Sequence, residues 1–163
     1  MTILSKETNI LPIGVRGVGY KDMVRLLEGR VLTPNPNQET TQKRGDHYLY
    51  FYPYTQNWEI NGLAIPAEHE GRILKGDPDP LAKKWAKADS EQGEGFLLKL
   101  HPNSINDFKI EPDAWFGKRH FYAFQVACPQ GIGINYFTEI VPVGAEDERL
   151  FDILTKDHHI NKR

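Results

Sequence analysis

Arg16 stands near the end of LPIGVRGV, a short glycine-bearing apolar run at 11–18. Its guanidinium suits either a phosphate or the ordering of a loop, with a structural salt bridge as the alternative. Glu139 lies in INYFTEIVP, where alternation places Phe137, Glu139 and Val141 on one strand face. A carboxylate between apolar neighbours must be paired, exposed at a rim or used by a ligand. Gln125 has the same kind of place in HFYAFQVA, sharing a face with Phe121, Ala123 and Ala127. Its amide fits a ligand ribose or neighbouring backbone groups.

Other chemistry-bearing residues are more scattered. His47, His101 and His120, with Lys84 or Arg119, would support proton transfer and phosphate stabilisation if the fold brought them together, which is the chemistry of a metal-independent nuclease. Lys83, Lys84 and Lys87 flank Trp85 on one segment. They read as the solvated side of a helix with a buried tryptophan, or as a nucleic-acid contact. Cys128 is the only cysteine, so it closes no intramolecular disulfide, and it reads as a strand-end residue or a thiol nucleophile. His158 and His159 read as a polar tail. The sequence has no dinucleotide fingerprint, phosphate loop, HExxH pair, GxSxG elbow, CxxC pair or calcium loop.

The elements that position these residues follow from periodicity and turn chemistry. A strand at 11–18 leads into YKDMVRLLEG, where Met23, Leu26 and Leu27 recur at helical spacing and Gly29 supplies the stop. Residues 33–46, TPNPNQETTQKRGD, read as an exposed loop. HYLYFYP at 47–53 reads as an aromatic strand ended by Pro53, whereas 54–76 carries no clear assignment. Asp79 and Pro80 open a helix, Asp79 accepting from early backbone N–H groups, with Leu81, Trp85 and Ala88 on its buried face. Strands are expected at 95–100, 120–127 and 134–143, the last two as neighbours across a Pro/Gly loop. A last helix at 147–155 carries a Leu150, Ile153 and Leu154 stripe.

Composition bounds the class. A chain of 163 residues suits one domain. With 20 Lys and Arg against 22 Asp and Glu, no general field draws it to nucleic acid or anionic lipid. The amino end has no signal-peptide pattern, and no segment approaches the roughly 18 apolar residues of a spanning helix. The reading is one soluble α+β domain over 1–163 with its core in 11–143, cytoplasmic or delivered as an effector.

The order of Arg16, the MVRLLEG helix, the aromatic YLYFYP strand and the YFTEIVP strand resembles an ADP-ribosyltransferase domain of the bacterial toxin type. That resemblance implies a split mixed β-core with peripheral helices, and NAD as co-substrate with no metal. It implies Arg16 on phosphate or ribose and Tyr50, Tyr52 or Tyr54 against nicotinamide. Glu139 or Gln125 would occupy the catalytic position, where a glutamate ordinarily stabilises an oxocarbenium-like transition state. The implied partners are a protein or nucleic-acid acceptor and a cognate inhibitory protein. The sequence departs from the family's pattern in having YLYFYPYT where a serine-threonine-serine motif belongs, and a glutamine at 125. The alternatives are a noncatalytic NAD-binding or protein-interaction domain and the nuclease.

Overall fold

GVRGV forms β1 (Gly14–Val18), and the helix α1 (Tyr20–Leu27) follows after a single residue, as the periodicity predicts. The computed structural model describes residues 10–29, 31–32, 49–62, 77–90, 93–103, 109–112, 124–127 and 132–157. The expected loop at 33–46 and the positions of His47, Arg119, His120, Cys128, His158 and His159 lie outside these. Gly29 ends α1 with φ +78°, the left-handed conformation that favours glycine, and its N–H donates to Leu26 O at 3.1 Å.

The aromatic segment is not one strand. It divides at Phe51 into β2 (Leu49–Tyr50) and β3 (Tyr52–Pro53). Beyond Pro53 the unassigned stretch begins with α2 (Thr55–Ile60), whose Trp58 is buried and donates its indole N–H to Ile13 O. The remaining strands and α-helices are α3 (Asp79–Ala88), β4 (Phe96–Leu100), β5 (Lys109–Pro112), β6 (Phe124–Ala127), β7 (Phe137–Pro142) and α4 (Ala145–Asp157), and the start of the strand expected at 134–143 is instead a 3-10 turn, Ile134–Tyr136.

One four-stranded sheet runs β3-β1-β4-β7 and a second, three-stranded, runs β2-β6-β5, so β6 and β7, expected as neighbours, lie in different sheets, β7 pairing with β4 instead. The segment Leu49–Pro53 therefore feeds both sheets, and Phe51 at the break is buried. The fold is α+β, as expected, with a four-stranded antiparallel sheet and peripheral helices. Its pairing is antiparallel in every described ladder rather than mixed, since β1 runs opposite to both of its neighbours. No described helix is long and apolar enough to cross a membrane.

Register divides the first sheet into two faces, because successive strand residues point to opposite sides. Val18, Phe96, Leu98, Leu100 and Ile140 face the larger core with Met23, Leu26 and Leu27 of α1 and Phe151 of α4. Phe96 and Phe151 pack ring against ring at a tilt of 53°, with centroids 5.7 Å apart. Val15, Leu97 and Tyr52 face the other way, against Ala82 of α3.

Two helix stripes differ from expectation. On α3 the residues that meet the sheet are Ala82 and Ala86, both fully buried, while Trp85 is 44% exposed. The reason is Gly17: a Cβ built there would lie 2.0 Å from Ala82 O and 2.6 Å from Ala86 N. Helix and strand backbones are too close for a large side chain between them. On α4 the anchor is Phe151, whereas Ile153 is 46% exposed.

Asp147 is a further surprise, fully buried in the first turn of α4. Its Oδ2 accepts from the backbone N–H of Glu94 and of Gly144, each at 2.9 Å. The turn before β4 is thereby pinned to the start of α4, and Gly93, with φ +146°, leaves the space that the carboxylate occupies.

Candidate functional site

On the α3 side of the first sheet two of the candidate residues, Glu139 and Tyr54, meet in one polar network. Alternation puts Phe137, Glu139 and Val141 on one face, but the ladder between β4 and β7 slips. Leu100 pairs with Phe137 and Lys99 with Glu139, leaving Thr138 as an extra residue. This bulge sends Phe137 into the larger core with Ile140. Glu139 instead joins the row Val15, Lys99, Glu139 across three strands. The Thr138 hydroxyl reaches Lys99 O at 3.4 Å.

Lys99 is the centre of that network. Its Nζ lies 3.2 Å from Glu139 Oε1 and 3.6 Å from Asp79 Oδ2, with each side chain about one-fifth exposed (18% for Lys99, 19% for Glu139, 22% for Asp79). The same ammonium sits 5.6 Å from the centroid of the Tyr54 ring, close enough for a cation–π attraction. Tyr54 donates its hydroxyl to Asp79 Oδ1. Burial first, then this hydrogen bond and the charges of Asp79, Asp77 and Glu139, push the Tyr54 phenol well above its ordinary range. It stays a neutral donor at physiological pH.

Asp79 thus serves the network and not the helix start. The backbone N–H of Asp79 is taken by Asp77 Oδ1 at 3.0 Å. Chemically, an ammonium held between two carboxylates is no nucleophile, and a protonated phenol is no base. The arrangement ties α3, β4, β7 and the residue that opens α2 into one ion-paired unit. Sequence reasoning assigned no charge partner to Lys99 or Asp79, because the contact joins residues distant in the chain.

Arg16 belongs to the opposite row. It pairs in register with Leu98, and Leu98 with Ile140. Arg16 and Glu139 therefore sit on opposite faces of the sheet. Two acidic groups feel the charge of Arg16: burial raises Asp22 above its ordinary value, with Arg16 and then Arg25 pulling it down. Asp89, which follows α3, is also raised by partial burial, with Arg16 lowering it and Asp22 raising it.

No family model matches the chain, and no curated protein or solved structure matches it.

The three tyrosines expected to form one wall are dispersed. Tyr52 is buried against Val15 and Leu97, and Tyr54 is in the Lys99 network. Tyr50 belongs to the second sheet, directly opposite Gln125 in the β2–β6 ladder. Of the nuclease set, His101 accepts the N–H of Asn103 at its Nδ1, 3.0 Å away, and Lys84 is exposed on α3. Among the described residues no three His, Cys, Asp or Glu side chains converge on a metal-sized site.

The Asp22 environment has a measurable consequence. A carboxyl whose folded pKa lies above its unfolded value near 3.8 binds more protons in the folded state over the interval between them. Stability therefore falls as pH rises through that interval. Asp22→Asn removes the ionisation, so its urea midpoint relative to wild type is expected to improve from pH 4 to pH 7. A wild type that gains on the variant over the same range would contradict the burial-dominated shift.

Proposed function

We propose that the chain is a noncatalytic binding domain and not an enzyme that transfers ADP-ribose from NAD. The observation that carries this reading is the Thr138 bulge, which sets Glu139 in the Lys99 row and away from the Arg16 row. A transferase of the kind resembled needs its carboxylate at the departing nicotinamide and its arginine on the dinucleotide within one cleft. Here Glu139 is engaged by Lys99, and Tyr54 by Asp79. Asp22 and Asp89 share the field of Arg16 and, when ionised, oppose an incoming pyrophosphate.

The test is nicotinamide release from NAD by the wild type and by Glu139→Gln. Both are expected to match the buffer rate. Release by the wild type that drops in the variant would overturn the reading and restore ADP-ribosyl transfer to a protein or nucleic-acid nucleophile.

One observation favours a second reading, NAD recognition without turnover. Gln125, which the resemblance places at the catalytic position, lies across the ladder from Tyr50. Calorimetric titration of NAD into wild type and Arg16→Ala separates the two. Binding that weakens by about tenfold or more in the variant, the loss of a charge-assisted hydrogen bond, would move the assignment to an NAD sensor.

A further inference from the structure

Around the solvent-facing arc of α3, helical spacing sets Trp85, Leu81 and Ala88 side by side, followed by Lys84 and then Lys87 and Lys83. Trp85 is 44% exposed, Ala88 and all three lysines are exposed, and Leu81 is half-buried. The helix is held from beneath by Ala82 and Ala86 against the Gly17 backbone. Trp85 lies outside that close contact. A large aromatic that contributes little to the fold, on a rigid helix, is the usual form of an interface anchor.

The charges choose the partner. Lys83, Lys84 and Lys87 form a basic band beside the apolar stripe, while the whole chain carries a formal charge of -2. Lys87 approaches Glu94 only at 4.0 Å, with both side chains more than half exposed, so this pair holds the lysine weakly. We infer that this arc of α3 docks an acidic protein segment whose apolar side chain covers Trp85. This rests on the binding-domain reading and names its partner class. The lysines border the stripe of Trp85, Leu81 and Ala88 along its Ala88 side, in the manner of a charged rim beside a hot spot. A nucleic-acid track would combine base stacking with an extended positive groove, whereas these lysines form a short band on a single helix.

The experiment follows a labelled synthetic peptide, glutamates alternating with leucine and phenylalanine, by fluorescence anisotropy against the full chain. Parallel arms use the same peptide with glutamine for glutamate, and single-stranded oligo(dT). The acidic peptide is expected to bind saturably and to weaken with added salt. Trp85→Ala and the combined K83Q, K84Q and K87Q variant are each expected to weaken it about tenfold or more. Ile60→Ser, which alters an exposed apolar residue on α2, is expected to leave it unchanged. Absence of saturable peptide binding, equal binding by the α3 variants, or tighter binding of oligo(dT) would each overturn the proposal, the last by assigning the arc to nucleic acid. Nicotinamide release, read separately, distinguishes the two readings. A chain that cleaves NAD and still binds the peptide through α3 loses only the noncatalytic assignment; one that does neither loses only the docking surface.

Discussion

Gly17→Ala is expected to destabilise the protein by about 3 kcal/mol or more, the upper range for forcing atoms into a packed interior, whereas Trp85→Ala costs less than about 1 kcal/mol. The added methyl at position 17 would enter a gap in which Ala82 O is 2.0 Å away and Ala86 N 2.6 Å away. Both are backbone atoms, so no rotamer change relieves the clash. Either α3 lifts from the sheet, or β1 shifts in its ladder with β4. Trp85, by contrast, is 44% exposed and leaves no closed cavity when truncated. Urea denaturation of both variants gives the order directly. A Trp85→Ala loss exceeding that of Gly17→Ala would mean that α3 packs through its tryptophan and that the close approach at Gly17 is wrong.

Asp147→Ala is expected to cost about 3 kcal/mol, because it leaves two backbone donors that now meet a carboxylate without an acceptor. Those donors are the N–H groups of Glu94 and Gly144, and the residue between them in space is fully buried. The carboxylate also sits in the first turn of α4, where negative charge is favoured by the helix dipole. Asp147→Asn keeps an acceptor oxygen of the same shape and is expected to lose clearly less than the alanine variant. If the two substitutions cost the same, the side chain acts by filling space and not by accepting those bonds.

The sequence was most legible where a local rule sufficed. Met23, Leu26 and Leu27 announce the buried stripe of α1, and Gly29 its stop, because spacing and a positive-φ terminus are local properties. The strand Phe96–Leu100 was visible for the same reason, as was Phe137–Pro142, although not the 3-10 turn Ile134–Tyr136 that replaces the start of the strand expected there. What escaped depends on contacts between distant segments. Hydrophobicity selected Trp85 as the buried face of α3, but the distance between α3 and β1 admits only Ala82 and Ala86. Asp79 read as a helix cap, and its actual partners, Tyr54 and Lys99, lie 25 residues behind and on another strand. Alternation grouped Phe137 with Glu139, and one extra residue, Thr138, separated them. A bulge leaves no sequence signal when the residue in it is an ordinary β-former.

The functional reading stands on Glu139 being committed to the fold, and a double-mutant cycle on Lys99 and Glu139 measures that commitment. Lys99→Met, Glu139→Gln and the double variant are compared by urea denaturation, with the coupling taken as the departure from additivity. The 3.2 Å contact between Nζ and Oε1 predicts a coupling of about 1 kcal/mol, with Lys99→Met the more costly single change because it also releases Asp79. Additive losses, within about 0.5 kcal/mol, would show Glu139 free of Lys99 and available to a ligand, and the binding-domain account would lose its foundation.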